Sequence, residues 1–200
     1  MMQKAIRRSM ALLLVLTFVL ALGGVQAFAE TATDTLTVFA NENTGNTSAT
    51  YDSIAVAEVE TNSPHMPVAV VLATDGASAE LIVTGDVSGA ANTGTTLGTN
   101  GVVADAAAAQ SSASAEIGGD VTIQSADGSG GVTAQAGSRL PDAQNPNLQG
   151  ADAQVTVDGD VSVTVSGSGE NAHAVGADAH ATNGGNASVS VGGDITAESG

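Results

Sequence analysis

The chain has 200 residues, no cysteine, no tryptophan, three phenylalanines and one tyrosine, and its 21 acidic residues outnumber four basic ones for a formal charge of −17. That length allows one domain or one repeat array, the missing cysteine excludes a disulfide framework, and the scarcity of aromatic bulk excludes an ordinary aromatic-rich globular core. So negative a chain disfavours nucleic acid and anionic lipid, because contact with phosphate needs Lys and Arg.

The stretch 1–29 reads as a signal peptide. Lys4, Arg7 and Arg8 form a basic start, Ala11 to Leu22 is a near-continuous apolar run, and Ala27-Phe28-Ala29 offers small residues for cleavage before Glu30. As a membrane anchor the run is short of the roughly 20 apolar residues a span needs, and Gly23-Gly24 interrupts it. No membrane span is expected after cleavage. The chain from Glu30 onward then keeps one base, Arg139, against all 21 acids, a formal charge of −20. Such a surface favours solubility and attracts cations.

Residues 30–66 alternate apolar and polar side chains from Thr35 to Ala40 and from Ile54 to Val59, but without a full repeat. They are expected to form an N-terminal cap or an irregular first coil, which an array needs to cover its open end.

From residue 67 to 200 the sequence repeats. Gly-Asp followed by Val or Ile occurs at Gly85-Asp86, Gly119-Asp120, Gly159-Asp160 and Gly193-Asp194, so that the aspartates recur at spacings of 34, 40 and 34. Aligned on the aspartate, the third residue before it is Val83, Ile117, Val157 or Val191, and the seventh before it is always alanine: Ala79, Ala113, Ala153, Ala187. One residue after stand Val87, Val121, Val161 and Ile195, and two after stand Ser88, Thr122, Ser162 and Thr196. Odd offsets are mostly apolar and even offsets mostly polar. A period of two means a strand with one face buried, and its recurrence at a long fixed period means stacked coils. Disordered chains lack β-branched residues in such regular alternation.

A second strand precedes each of these. It is read at Val102–Ala106, Val132–Ala136 and Val175–Ala179, with Ala69–Ala73 filling the same role earlier. A connection of variable length follows it. The longest runs from Gly137 to Gly150, carries Pro141 and Pro146, and accounts for the wider spacing between Asp120 and Asp160. Tetratricopeptide and ankyrin repeats have similar periods but are helical, and the Gly and β-branched content here opposes helix. The fold class expected is all-β: a parallel β-helix, or β-solenoid, with coils of about 34 residues and three short strands per coil. Gly200 falls in the turn after Asp194, and no capping segment, sorting motif or hydrophobic tail follows, so the 200 residues are expected to be the front of a longer protein.

The pattern Val-x-Val-x-Gly-Asp-Val-x-Val, as in Val155 to Val163, resembles repeats of secreted bacterial proteins with right-handed parallel β-helices, over about Val68 to Gly200. That class includes surface adhesins, autotransporter passengers and pectate-lyase-like proteins. Ala-Phe-Ala before Glu30 is similar to the signal-peptide ends of Gram-positive bacteria. The resemblance implies a secreted or cell-surface location in a bacterium and a host or cell-surface glycan or protein as partner. It transfers no catalytic residue.

The aspartates Asp86, Asp120, Asp160 and Asp194 are the sharpest chemical feature. Stacked in register they form a ladder of like charges along one edge, which needs cations or hydrogen bonds to compensate. One reading is a calcium-binding edge, with carboxylate oxygens as ligands for a hard cation. The favoured reading is a turn, in which Gly85, Gly119, Gly159 and Gly193 take positive φ or allow tight packing and each Asp accepts a backbone N–H. The nonapeptide Gly-Gly-x-Gly-x-Asp rhythm of calcium β-rolls is absent. His173 and His180, near Asp178, could be imagined as zinc ligands, but no Cys or third His joins them, and His65 lies between Pro64 and Pro67 without an evident partner. A polysaccharide lyase or hydrolase would need paired carboxylates or a base against an acidic sugar. Arg139 is the one base on offer, and no Trp is present as a stacking platform. The function expected is a non-enzymatic extracellular stalk or adhesin needing no cofactor. A polysaccharide-active enzyme and a calcium-stabilised surface repeat protein are the alternatives.

Overall fold

Val, Ile and Thr at alternate positions favour extended chain, because a branched Cβ sits well on a pleated surface and loses rotamers in a helix. In the computed structural model, residues 30–59, 66–91, 99–126, 128–137, 150–167, 172–182 and 184–200 are described, and they form sixteen strands and no helix. Residues 1–29, His65 with Pro64, and the part of the long insertion that carries Arg139, Pro141 and Pro146 lie outside the described residues.

In chain order the strands are β1 (Thr31–Ala32), β2 (Leu36–Ala40), β3 (Thr47–Tyr51), β4 (Ser53–Val59), β5 (Met66–Ala73), β6 (Ser78–Val83), β7 (Val87–Ala91), β8 (Thr99–Ala106) and β9 (Ser112–Ile117). They continue as β10 (Val121–Ser125), β11 (Ser129–Ala136), β12 (Asp152–Val157), β13 (Val161–Val165), β14 (Ala174–Ala181), β15 (Asn186–Val191) and β16 (Ile195–Ser199). Every third strand belongs to the same sheet. The first sheet is β1-β4-β7-β10-β13-β16, the second β2-β5-β8-β11-β14 and the third β3-β6-β9-β12-β15. All these neighbours pair in parallel. This is the expected parallel β-solenoid, three strands to a coil, with coils about 4.8 Å apart.

Rows at the odd offsets point inward. In the third sheet Ala79, Ala113, Ala153 and Ala187 are in register, as are Val83, Ile117, Val157 and Val191. In the first sheet Ile54, Val87, Val121, Val161 and Ile195 form one continuous row. In the second, Ala40, Ala73, Ala106, Ala136 and Ala181 do the same. The first four members of the Ile54 row are completely buried, whereas Ile195 is 52% exposed, because no described coil covers it. Burying one Val or Ile contributes about 1.5–3 kcal/mol, and here that gain comes from the neighbouring coil, since one coil cannot cover its own inner face.

The narrow interior works by pairing large with small. A Cβ on Gly131 would stand 2.4 Å from the Gly176 carbonyl oxygen and 2.5 Å from Val161 Cγ1. One on Gly101 would meet the Gly131 oxygen at 2.2 Å and Ile123 Cγ1 at 3.0 Å, and one on Gly176 would meet Ile195 Cγ2 at 2.2 Å. The branched side chains of the first sheet therefore fill the space left by glycines of the second.

These glycines correct the register read from sequence. Val132–Ala136 face Val102–Ala106 as expected, but their partners on the other side are Ala177–Ala181, not Val175–Ala179. Val175, displaced from the core row, is 41% exposed. Gly176 must stand over Gly131, and that requirement moves the strand by two residues. For Ala177 and Ala179 a slip of two keeps the same face inward, so alternation could not reveal it.

Residues 30–59 supply β1 to β4 to the same three sheets, with a register shift between Val56 and Val59 where β4 meets β7. Their turn into the first sheet is one residue shorter than the later ones: Tyr51 and Ile54 face Val83 and Val87.

The corners differ in kind. Those from the second to the third sheet pass through the left-handed region, at Gly45, Asp75 and Gly76, Gln110, Gly137 and Gly150, and Gly184. Asp75 and Gln110 do so at φ 55° and 59° although they are not glycine. The long insertion is entered and left through two such residues. The wide spacing from Asp120 to Asp160 is the net of two opposed changes. In this coil the corner from the second to the third sheet spans 137–151 against 107–111 in the preceding coil, a gain of ten, while the corner before it spans 126–128 against 92–98, a loss of four.

Candidate functional site: the Gly-Asp ladder

The corner from the third sheet to the first is where the four Gly-Asp steps fall, and it is built the same way in each coil. The chain leaves the third sheet at Ile117, passes Gly118-Gly119-Asp120 and enters the first sheet at Val121. Its backbone groups are paired between coils. Gly118 N–H donates to the Val83 carbonyl at 2.8 Å, Gly119 N–H to the Gly85 carbonyl at 3.1 Å, and Val87 N–H to the Asp120 carbonyl at 2.8 Å. The corresponding bonds recur from Asp158, Gly159 and Val121, and again from Gly192, Gly193 and Val161.

At three of these corners one backbone N–H is satisfied by a side chain. Asp120 N–H donates to Asp86 Oδ1 at 2.9 Å, Asp160 N–H to Asp120 Oδ1 at 2.8 Å, and Asp194 N–H to Asp160 Oδ1 at 2.8 Å. A carboxylate acceptor makes this bond stronger than a neutral one. The aspartates do stack, therefore, but each meets the next through an amide, which offsets the like charge.

The glycine before each aspartate belongs to the same contact. A Cβ at Gly119 would stand 2.1 Å from Asp86 Oδ1, at Gly159 2.2 Å from Asp120 Oδ1, and at Gly193 2.0 Å from Asp160 Oδ1. At Gly85, beneath which no such aspartate stacks, the obstacle is the Asp52 carbonyl oxygen at 2.7 Å. None of the four has positive φ. Close approach, not backbone freedom, is what requires glycine here, and the N–H that each Asp accepts comes from the next coil, a separation of 34 or 40 along the chain, rather than from its own turn.

The acceptor role has a direct test. Asp120→Asn keeps a side-chain oxygen at the same place and is expected to retain the parent's melting temperature, whereas Asp120→Ala should lower stability by about 1–2 kcal/mol through the orphaned Asp160 amide. Equal losses in both variants, measured by urea unfolding, would show that charge and not acceptor geometry holds the turn.

Other groups singled out in the sequence remain apart. His173 and His180 are both exposed, as is Asp178. Among the described residues no three His, Asp or Glu side chains gather as a metal-holding group. Arg139 lies outside the described residues.

The sequence reading missed a feature of the third sheet's outer face. Register pairs Glu80 with Ser114, Ile82 with Glu116, and Glu116 with Thr156, so Glu80, Glu116 and Asp158 step diagonally across successive coils toward the aspartate edge. Two shallow hollows lie along this face. Ser48, Ser78, Glu80, Ser112 and Ser114 line one, and Thr84, Glu116, Thr156 and Asp158 line the other. The Ser48 hydroxyl donates to Glu80 Oε2 at 3.0 Å. Aligning whole coils and noting acids at even offsets would have found the diagonal. On the second sheet's outer face, Phe39 and Leu72 are neighbours in one row and Val70 and Val103 in another, with Phe39 exposed.

Comparison with family models, curated proteins and solved structures gives no match for this chain.

Proposed function

We propose that this protein is a non-enzymatic rod of the bacterial cell exterior that acts as a structural stalk or adhesin, its partner a glycan or protein of a host or cell surface. One observation carries the reading: the three sheets keep the same strand order through every coil while the corners between them vary in length. A constant, regularly paired core with variable corners is suited to holding display segments at fixed heights, as loops on a rigid scaffold commonly do. The leader at 1–29 and the excess of acid over base support export and solubility.

The test uses the secreted chain and a variant in which the long corner, 137–151, is replaced by the short one, 107–111. The expected result is an N-terminus at Glu30, retention of the parent on arrayed surface glycans or proteins, and loss of retention in the variant without a change in melting temperature. Release of sugar products from a polysaccharide, abolished by Arg139→Ala, would replace this reading with the enzymatic one.

Calcium is a second use of the ladder to be measured in the same material. Because each ladder carboxylate below Asp194 already accepts an amide proton, calcium and magnesium are expected to raise the melting temperature slightly and alike, as charge screening does. A large calcium-specific rise, diminished in Asp120→Ala and Asp160→Ala, would establish a calcium edge instead.

A further inference from the structure

Acid unfolds many proteins for two reasons. Carboxylates that are paired or hydrogen-bonded in the fold lose that interaction on protonation, and the chain gathers positive charge that repels itself. At the Gly-Asp corner neither reason holds.

The bond that joins the coils there is made to a single oxygen. In all three rungs the amide of the next coil donates to Oδ1, of Asp86, Asp120 and Asp160, at 2.8–2.9 Å. A carboxylic acid keeps one oxygen as an acceptor while the other carries the proton, and these three side chains are exposed to water. The solenoid already contains uncharged versions of the same bond. Asn46 Oδ1 accepts the Ser78 N–H of the next coil, and Asn100 Oδ1 accepts the Gly130 N–H, both at 3.0 Å. A neutral amide oxygen therefore bridges coils here at nearly the same length as a carboxylate.

Charge around the rungs is of one sign. Glu30, Asp52 and Asp158 border the same corner, and Glu80 and Glu116 stand on the adjoining outer face of the third sheet. In the first sheet the outward neighbours Ser88, Thr122 and Ser162 are uncharged, and Glu58 and Glu198 lie near the far ends of β4 and β16. His180 is in β14 of the second sheet and His173 directly precedes it, so neither belongs to a strand that adjoins the ladder. Neutralising these acids relieves repulsion between like charges. Over the exported chain, acid replaces a formal −20 by at most +5: one arginine, three histidines and one amino terminus. That figure supposes that 1–29 has been removed and so rests on the export reading; the bonding of the rungs does not.

We infer that the Gly-Asp ladder is an acid-proof joint. It holds successive coils together whether its aspartates are carboxylates or carboxylic acids, and the exported rod is no less stable at pH 3 than at pH 7. For a protein of the cell exterior, acidification then changes the charge it presents while its shape is kept.

Thermal unfolding of the secreted chain, followed by far-UV circular dichroism at pH 7 and pH 3 at one ionic strength, tests this, with intact mass locating the N-terminus. The parent is expected to melt at pH 3 no lower than at pH 7. Asp120→Ala should melt about 2–8 °C below the parent at both pH values, the shift expected of one orphaned amide in a chain of this size. Asp120→Asn, fixed in the uncharged state, should melt with the parent at both. If Asp120→Ala proves too unstable to purify, Asp160→Ala serves in its place. Loss of the parent's β spectrum at pH 3, or an alanine deficit that is present at pH 7 and vanishes at pH 3, would overturn the joint. A mass that includes 1–29 would count against export alone and leave the comparison of the variants standing.

Discussion

Replacing Gly159 by alanine is expected to destabilise the protein by about 2 kcal/mol, although the change adds one methyl group at a solvent-facing turn. The new Cβ would lie 2.2 Å from Asp120 Oδ1, 2.7 Å from the Gly119 carbonyl oxygen and 2.8 Å from the Gly119 carbonyl carbon. Overpacking of this kind costs about 1–3 kcal/mol. If the carboxylate moves aside instead, the bond from Asp160 N–H is lost, at the cost of about 1–2 kcal/mol of an orphaned amide. The relaxed structure will settle between these, because either response relieves part of the other. Urea midpoints at constant slope measure the loss. The double variant Asp120→Ala/Gly159→Ala should lose less than the sum of its parts, since both changes break the same contact. Strict additivity would mean that the glycine and the aspartate below it are not one unit.

Gly131→Val is expected to have the larger effect, more than about 4 kcal/mol, which approaches the whole stability of many domains. Here the obstacle is inside the coil. The Cβ alone would meet the Gly176 carbonyl oxygen at 2.4 Å and Val161 Cγ1 at 2.5 Å. The carbonyl belongs to the neighbouring strand of the same sheet, and Val161 is completely buried, so neither can retreat without breaking the stack. The expected outcome is insoluble protein, or a far-UV circular dichroism spectrum without the β signal of the parent. A soluble variant with the parent's spectrum and melting temperature would disprove the paired large-and-small packing of the first and second sheets. Shrinking the large partner is the complementary test. Ile123→Ala removes a fully buried side chain that lies against Gly101 and should cost about 2–5 kcal/mol by leaving a cavity.

How much of this was legible in the sequence depends on the element. Around each aspartate the sequence alignment and the spatial register coincide: Ala79, Val83 and Val87 face Ala113, Ile117 and Val121. They coincide because the ladder allows no variation in the turn, so spacing along the chain and position in space stay coupled. In the second sheet that coupling fails. The row that begins at Val102 continues at Val132 and Ala177, and the stretch from the preceding aspartate differs each time: Asp86 to Val102, the shorter Asp120 to Val132, the longer Asp160 to Ala177. The two 34-residue spacings of the aspartates thus conceal unequal parts, and alternation alone cannot detect a slip of two. The glycines Gly101, Gly131 and Gly176 hold the missing information, but their meaning depends on the bulk of a facing sheet that one strand's sequence does not show. The same limit applies to the ladder. Gly-Asp suggests a local turn, whereas the contact that requires it joins residues 34 or 40 positions apart.

The variable corners have one more consequence. Val132 faces Val102 on one side and Ala177 on the other. Far more chain separates it from Ala177 than from Val102, yet each is one strand away. Height along the rod is therefore independent of how much chain is spent between strands. Chain can be gained at one corner and lost at another without moving a face by a single step. Such a molecule can change what it carries at a given level while every other level stays where it was, much as storeys of a building keep their heights when a balcony is added to one of them.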